Sequence, residues 1–189
     1  VGIIGLGNIG TRVAELCSGL FAARIVAYDP YLTNEQILAR GAAASSLEKL
    51  LSDSDFVSVT CPLTNETRGM INGAALARMR TSAYFVTTAR GGIHDEEALA
   101  VALASGAIRG AGLDVWVDEP PPMGHVLHTF DNVIMTMHTA GVTEEARRQA
   151  GIGAAEQWMV ICGGNRPSNV VNPEVWPRFH ARFKKVFEG

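Results

Sequence analysis

Short apolar runs alternate with longer amphipathic stretches along most of the chain. The apolar runs predict strands at Val1–Ile4, Arg24–Tyr28, Phe56–Thr60, Ala83–Thr87, Ile108–Val115 and Val133–Thr136. Apolar residues at helical spacing predict helices at Asn8–Leu20, Thr33–Arg40, Leu47–Ser52, Ala74–Met79, Asp95–Ala104 and Glu144–Cys162. Strands that alternate with helices favour right-handed crossovers, and near-continuous apolar strands fit a sheet that is covered on both faces. We therefore predict an α/β fold built on a doubly wound parallel sheet.

The alternation stops at Gly163. Beyond it the chain runs through Gly-Gly-Asn-Arg-Pro-Ser-Asn to Trp176 and the basic pair Lys184-Lys185, and we predict no regular element there. At about 100–200 residues a domain, the length fits one domain and part of another. We expect residues 1–163 to form one domain and residues 164–189 to leave it for a second.

Composition excludes several classes of protein. Hydrophobic residues make up 47% of the 189 residues and charged residues 19%, which suffices for a packed core. The net charge of -3 argues against a nucleic-acid-binding protein, because such proteins carry a basic stripe. No apolar run approaches the roughly 18 residues of a membrane-spanning helix, so no membrane partner is expected. Cys17, Cys61 and Cys162 form no CxxC pair, which predicts small core residues in a cytoplasmic protein and no metal site.

The chain begins at Val1, inside its first predicted strand, and not at Met. A strand that is buried on both faces is an unusual place for a native chain to start. We therefore expect that a segment preceding Val1 is absent from this sequence. A charged segment followed by an apolar one is not visible at the start, so no signal peptide is predicted.

A glycine-rich hexapeptide connects the first predicted strand to the first predicted helix. Gly5-Leu6-Gly7-Asn8-Ile9-Gly10 has the pattern G-x-G-x-x-G. In this pattern Gly5 permits the tight turn, Gly7 lets the backbone approach a pyrophosphate, and Gly10 lets the helix pack against the strand. The helix N-terminus supplies unpaired N–H groups and positive potential to the phosphates. The segment predicts a dinucleotide-binding site.

An acidic residue ends the second predicted strand, about twenty residues after the glycines. The carboxylate of Asp29 could accept hydrogen bonds from both ribose hydroxyls of an adenosine and would repel a 2′-phosphate. The next residues are Pro30 and Tyr31, and no arginine immediately follows Asp29. These features favour NAD over NADP.

Three later loops each follow a predicted strand and carry a residue suited to acid–base or anion chemistry, namely Arg90, Glu119 and His138. In open α/β sheets ligands bind beyond the carboxyl ends of the strands, so these loops could share one crevice with the glycine loop. The other histidines, His94, His125, His128 and His180, are expected on the surface or in loops.

The residue types define a reaction class. A histidine titrates near neutrality and can give a proton to a carbonyl oxygen or take one from a hydroxyl group. A glutamate bonded to its other ring nitrogen would fix the tautomer, and an arginine offers a planar fork for a carboxylate. Beside a nicotinamide, which carries the hydride, this set predicts reversible hydride transfer between a 2-hydroxy acid and a 2-keto acid.

The chain resembles the D-isomer-specific 2-hydroxyacid dehydrogenases from Val1 to about Val175. The matching segments stand in family-like order and spacing. They are Gly5–Gly10, Tyr28–Tyr31, Cys61–Arg68, Thr88–Gly92, Gly112–Val115 with Glu119-Pro120, and His138–Gly141. The chain departs from the family at Met137, where the family has a proline before the histidine.

The resemblance implies a Rossmann-type NAD-binding domain and roles for single residues. It implies that Arg90 binds the substrate carboxylate, that His138 is the general acid and base, and that Glu119 is its partner. Asp114 would hydrogen-bond the nicotinamide carboxamide, and the backbone of Asn8 and Ile9 would hold the pyrophosphate. The cofactor-binding residues so implied are Gly5, Gly7, Asn8, Ile9, Gly10, Asp29, Cys61, Pro62, Thr67, Thr88, Ala89, Arg90, Asp114, His138 and Gly141.

Members of this family have two domains, and the substrate domain combines an N-terminal segment with the C-terminal tail. By resemblance, Asn169–Pro173 is the segment that returns to that domain, and the protein would be a homodimer. Two functions stay open at this point. One is an NAD-dependent oxidoreductase that acts on a small D-2-hydroxy acid or 2-keto acid. The other is a non-catalytic, NAD(H)-responsive binding protein on the scaffold shared with transcriptional corepressors.

Overall fold

A seven-stranded sheet organises the computed structural model, which describes residues 1–187. The strands in chain order are β1 (Gly2–Ile4), β2 (Val26–Tyr28), β3 (Ala43–Ala44), β4 (Phe56–Val59), β5 (Tyr84–Thr87), β6 (Gly110–Leu113) and β7 (Val133–Met135). They lie in the order β3-β2-β1-β4-β5-β6-β7, and every neighbouring pair is parallel. The predicted doubly wound parallel sheet is confirmed.

Helices lie between strands along the chain, and further helices follow β7. They are α1 (Asn8–Phe21), α2 (Asn34–Ala39), α3 (Leu47–Asp53), α4 (Gly73–Leu76), α5 (Glu96–Ala104), α6 (Glu144–Cys162) and α7 (Trp176–Phe187), with short 3-10 helices at Val126–Thr129 and Pro173–Val175. Side-chain caps explain where several of them begin. Thr33 and Gln36 form a reciprocal capping box at α2, Ser46 caps α3, and the Asp95 carboxylate accepts a hydrogen bond from the N–H of Ala98 at α5.

Two apolar clusters form the core, as expected for a sheet with both faces covered. Consecutive strand residues point to opposite faces, and β1 illustrates this alternation. Ile3 belongs to the smaller cluster with Leu6 and Ile37, whereas Ile4 belongs to the larger cluster, which contains Phe85. All of these side chains are buried. The carboxyl end of β1 is thereby fixed at the centre of the sheet, where the glycine loop begins.

The contacts divide the chain into two units, one formed by Val1–Ala140 and one that begins at Gly141. The sheet and α1 to α5 belong to the first unit, and α6 and α7 belong to the second. The boundary predicted from the sequence, between residues 163 and 164, stays a prediction.

The expectation that regular structure ends at Gly163 was wrong, because α7 lies beyond it. Trp176, Phe179, Phe183 and Phe187 recur at helical spacing and stack along one face of α7, with ring centroids 5.0 Å apart for the first pair and 4.8 Å for the last. This aromatic periodicity indicates a helix, but the glycines before it and the charged residues within it made the pattern hard to see in the sequence. The smaller strand β3, at one edge of the sheet, was also missed.

Candidate active site and cofactor cleft

The glycine loop is shaped by contacts that exclude side chains at two positions. Gly5 has a φ of +88°, and a Cβ there would lie 2.7 Å from the backbone of Cys61. A Cβ on Gly10 would lie 2.2 Å from the carbonyl oxygen of Gly5. A Cβ on Gly7 would have no other atom within 4 Å. Gly5 and Gly10 are therefore required by packing, whereas Gly7 leaves an open approach to the backbone.

The first turn of α1 follows directly. Gly7 is the N-cap residue, and no side chain there hydrogen-bonds the helix. The N–H groups of a first turn, here those of Asn8 and Ile9, have no partner within a helix. They are available to an anion at the carboxyl end of β1, and the positive end of the helix dipole favours it.

Asp29 lies beside this loop at the end of β2. Its Oδ2 accepts a hydrogen bond from the N–H of Leu6 at 2.9 Å, and its Oδ1 accepts one from the N–H of Tyr31 at 3.0 Å. These bonds fix the plane of the carboxylate and leave a lone pair on each oxygen for another donor. The guanidinium of Arg40 donates to the carbonyl oxygen of Leu6. Arg40 is thus a cation near the glycine loop that the sequence did not reveal.

A cleft with a volume of about 470 Å³ opens along the glycine loop, and this volume suits a small-molecule ligand. Predicted cofactor-binding residues supply much of its lining, which includes Gly5, Gly7, Asp29, Cys61, Pro62 and Thr67. Thr67 Oγ1 donates to the carbonyl oxygen of Pro62 at 2.7 Å, which orders the loop after β4. Burial raises the pKa of Cys61, so its thiol lines the cleft in the neutral form.

Two further lining residues were not predicted from the sequence. The hydroxyl of Tyr31 donates a hydrogen bond to the carboxylate of Glu66, and this bond raises the pKa of Tyr31. The two residues are 35 positions apart and come from the loops after β2 and β4. Only the strand order, which places both loops beside β1, brings them together.

An adjoining cleft of about 510 Å³ brings in the loop after β5. Thr88, Ala89 and Arg90 line it together with Ile9, and the two clefts share Cys61 and Pro62. Arg90 Nη1 donates to the carbonyl oxygen of Ala89 at 2.6 Å. The guanidinium is therefore held at the mouth of a cleft that the first turn of α1 also lines.

His138 and Glu119 form a hydrogen-bonded pair. The Nδ1 atom of His138 lies 2.8 Å from Oε2 of Glu119, and both side chains are half-exposed. Glu119 Oε1 accepts a second hydrogen bond, from the N–H of Trp116 at 3.2 Å. The bond with His138 and then the bond with Trp116 lower the pKa of Glu119, and the positive charge of Arg90 lowers it further. His138 and Glu119 are thus in direct contact, and Arg90 is near enough for its charge to act on Glu119.

A buried acid supports the histidine loop. Asp114 is 3% exposed, and its carboxylate accepts hydrogen bonds from the Thr136 hydroxyl at 2.5 Å and from the N–H groups of Thr139 and Ala140 at 2.7 and 3.0 Å. Burial raises the pKa of Asp114, but these hydrogen bonds outweigh that effect and lower it overall. The carbonyl oxygen of Asp114 accepts from the N–H of His138 at 2.7 Å. The predicted contact of Asp114 with a carboxamide stays a prediction.

The remaining predicted residues have varied positions. Gly141 is the first residue of the second unit, and its place in the site stays a prediction. His94 lies in the loop between β5 and α5, which fits the expectation of a surface or loop position, but it is only 2% exposed beside Phe85, and burial lowers its pKa. Of the cysteines expected in the core, Cys61 is buried, but Cys17 is half-buried and Cys162 is exposed.

Comparison with known proteins places these features in a family. Residues 1–140 match the family described as D-isomer specific 2-hydroxyacid dehydrogenase, NAD binding domain. The chain is 41% identical over 175 residues to a glyoxylate reductase of Aeropyrum pernix, which covers 93% of this chain and 52% of that protein. It is 41% identical over 173 residues to a D-3-phosphoglycerate dehydrogenase of Methanocaldococcus jannaschii, which covers 91% of this chain and 33% of that protein.

A solved structure shows the same relationship. The D-isomer specific 2-hydroxyacid dehydrogenase of Lactobacillus delbrueckii ssp. bulgaricus, in its NAD complexed form, superposes with a TM-score of 0.83 and 33% identity. The match covers 90% of this chain and 55% of that one. The chain spans about half the length of the glyoxylate reductase that it matches. Within the described residues no helix is long and apolar enough to cross a membrane. The chain belongs to the D-isomer specific 2-hydroxyacid dehydrogenase family, and its residues 1–140 are the family's NAD-binding domain.

Proposed function

We propose that the full-length protein containing this chain is an NAD-dependent oxidoreductase. It transfers a hydride between NAD(H) and a small D-2-hydroxy acid or the corresponding 2-keto acid. The observation that carries the proposal is the hydrogen-bonded pair of His138 and Glu119 with the charge of Arg90 beside it. Relatives named glyoxylate reductase and D-3-phosphoglycerate dehydrogenase support this reaction class.

The residues present fit a dinucleotide. Gly7 leaves its backbone open, the first turn of α1 offers N–H groups to a pyrophosphate, and Asp29 keeps free lone pairs for ribose hydroxyls. We assign the adenosine side to the cleft lined by Asp29, Cys61, Pro62 and Thr67, and the nicotinamide side to the neighbourhood of Thr88, Ala89 and Asp114. When bound, NADH supplies the hydride that the protein itself cannot.

The protein's own residues direct that hydride. Arg90 binds the substrate carboxylate through its planar fork and places positive charge near the carbonyl to be reduced. Nδ1 of His138 is engaged by Glu119, so Nε2 is the atom that gives a proton to the developing alkoxide, or takes one in the reverse direction. Glu119, ionised at neutral pH, bonds Nδ1 of His138 and so orients the ring.

The proposal is tested by measuring NADH oxidation by the full-length protein. The substrates are 2-keto acids of increasing size, such as glyoxylate, pyruvate and hydroxypyruvate. We expect turnover with at least one of them and, where the keto acid is pyruvate or hydroxypyruvate and the product is chiral, a product of D configuration. Tight NADH binding without turnover above background on any keto acid would contradict the proposal and would support the non-catalytic, NAD(H)-responsive alternative.

The preference for NAD is tested separately at Asp29. We expect Asp29→Ser to weaken NADH binding about tenfold, because one or two hydrogen bonds to the ribose are lost. NADPH binding should improve relative to NADH, because the carboxylate no longer repels a 2′-phosphate and Arg40 lies nearby. Tyr31→Phe is the matched control, since it removes a polar group from the same cleft without changing that charge. An equal loss of affinity for NADH and NADPH would contradict the proposal that Asp29 selects NAD.

We further propose that residues 164–189 belong to a substrate domain whose remainder lies outside this chain, and that the protein is a cytoplasmic homodimer. Leu16, Leu20 and Phe21 of α1 are exposed apolar side chains, which supports an interface on the first unit. Light scattering of the full-length protein should give twice the mass of one chain. A monomer at micromolar concentration would contradict this assembly.

A further inference from the structure

A second acid lies behind the loop that carries Glu119. Glu96 is the first residue of α5, and its side chain is only 13% exposed. Its Oε1 accepts a hydrogen bond from the N–H of Val117 at 2.8 Å, and its Oε2 lies 3.0 Å from Nε2 of His125. Glu96 therefore joins the start of α5 to both flanks of the loop that contains Glu119.

The hydrogen bonds of His125 identify its tautomer. Nδ1 accepts from the N–H of Leu127 at 3.3 Å, so the proton of the neutral ring is on Nε2 and is donated to Glu96. Both ring nitrogens are then satisfied without a second proton. The ring packs edge-on against Trp116, with centroids 5.4 Å apart. Glu96 thus receives one hydrogen bond on each oxygen, from partners that are themselves held in place.

The loops of the catalytic candidates meet at the backbone of Trp116, whose N–H faces one loop and whose carbonyl group faces the other. The N–H of Trp116 donates to Glu119, which in turn bonds His138. On the other side lies Gly91, the residue after the candidate arginine, where a Cβ would stand 1.8 Å from the carbonyl oxygen of Trp116. A displacement of the Trp116 backbone would therefore disturb both loops, and Glu96 holds the N–H of the next residue, Val117.

We propose that Glu96 is a positioning residue for the hydride transfer, an inference that rests on the function proposed above. Glu96 holds the N–H of Val117, the N–H of the adjacent Trp116 donates to Glu119, and Glu119 orients the imidazole of His138. The pair with His125 keeps the Glu96 carboxylate in the one orientation that serves Val117. Glu96 acts through Glu119 and not on the substrate.

Steady-state kinetics of the full-length protein test this role. We expect Glu96→Ala to lower kcat about 10- to 100-fold, since small misplacements of catalytic groups cost rates of this order. The Kd for NADH should stay within about twofold of its original value, because Glu96 lines neither of the two cofactor clefts. Glu97→Ala is the matched control: it removes the adjacent, exposed carboxylate from the same helix turn and should leave kcat unchanged.

A conservative variant separates positioning from general stability. Glu96→Gln keeps an oxygen that can accept from Val117, although its amide cannot accept the proton of His125 at the same time. We expect it to restore kcat to a value nearer the original than that of Glu96→Ala. A kcat unchanged by Glu96→Ala at 25 °C, with only the Tm lowered, would overturn the proposal. So would a loss explained entirely by weaker NADH binding.

A spectroscopic readout keeps this proposal apart from the proposed function. In the ¹⁵N-labelled chain, Glu96→Ala should shift the amide signals of Trp116 and Val117 and the ring nitrogen signals of His138, whereas Glu97→Ala should shift none of these. Unmoved ring signals of His138 would overturn the proposal. The spectra do not depend on turnover. An inactive full-length protein would therefore refute the dehydrogenase function, and the spectra would still decide whether Glu96 positions His138.

Discussion

The backbone of His138 has a φ of 53°, in the left-handed region that side chains with a Cβ seldom adopt. Such a conformation costs about 1–2 kcal/mol. It is held here by the hydrogen bond from the His138 N–H to Asp114 and by the ring's bond to Glu119. The Asp114 carboxylate holds the residues on either side of the histidine, Thr136 and Thr139. The imidazole of His138 therefore lies on a strained turn, and the hydrogen bonds with Asp114 and Glu119 stabilise that turn.

We expect His138→Asn to separate folding from activity in the full-length protein. Asparagine tolerates a positive φ, so the Tm should not fall. Reduction of a keto acid should slow by about 10² to 10⁴, the usual contribution of a general acid. NADH binding, measured by fluorescence titration, should change by less than about twofold. A variant that turns over at the original rate would show that His138 is not the proton donor.

Asp114 should make stability depend on acid pH. Its pKa is lowered in the folded protein, so its ionised form stabilises the fold above its ordinary pKa of about 3.9, and this contribution is lost as the pH falls through the folded value. We expect Asp114→Asn to cost about 1–3 kcal/mol at pH 7, because it disrupts buried hydrogen bonds.

Urea unfolding from pH 7 to pH 2.5 measures this dependence. The difference in unfolding free energy between the original protein and Asp114→Asn should narrow as the pH falls below about 4. Asp131→Asn, at an exposed position, is the control and should give no such narrowing. A difference that stays constant across the range would mean that the Asp114 carboxylate is not what stabilises the turn.

At the level of elements, two glycines of one motif have different roles in the turn from β1 into α1. A Cβ on Gly10 would collide with the carbonyl oxygen of Gly5, whereas a Cβ on Gly7 would meet nothing. The motif predicts a close approach at Gly7 and tight packing at Gly10, and the contacts around the two positions agree with this difference. The distinction leads to opposite expectations for two matched substitutions.

We expect Gly10→Ala to lower stability by about 1–3 kcal/mol, since overpacking of a tight contact costs this much. Gly7→Ala should leave the Tm within a degree or two, because its φ of -75° suits alanine, yet weaken NADH binding at least about tenfold by blocking the pyrophosphate. Thermal unfolding measures the stability of the two variants, and fluorescence titration measures their NADH binding. Unchanged NADH binding in Gly7→Ala would contradict the assigned phosphate site.

The sequence is sufficient to predict most elements because strands buried on both faces form distinct apolar runs, as in Gly2–Ile4. It does not reveal β3, which has two alanines and no apolar pattern, or Arg40, whose position depends on the fold. The same holds for the pairing of Glu96 with His125, 29 residues apart. Glycine and strand-end residues such as Gly5 and Asp29 are predictable because local chain geometry determines their place. Contacts between loops depend on strand order, which the alternation alone does not give.

For the whole molecule, the position of β1 at the centre of the sheet has consequences for stability. Ile3 and Ile4 are buried and pair with strands on both sides, whereas Ala43 and Ala44 of β3 are exposed on an edge. Opening of an edge strand breaks fewer contacts than opening of a central one. We expect native-state hydrogen exchange to be slowest in β1 and β4 and fastest in β3. Similar protection across the sheet would contradict this gradient.

The strand order also describes how the sheet can be assembled during synthesis. β1 is made first, β2 and β3 then extend it on one side, and β4 to β7 extend it on the other, each in the order in which it leaves the ribosome. No described strand has to insert between two that are already paired. Every new strand therefore meets a finished edge, and the sheet can grow outward as the chain lengthens, without undoing any earlier pairing.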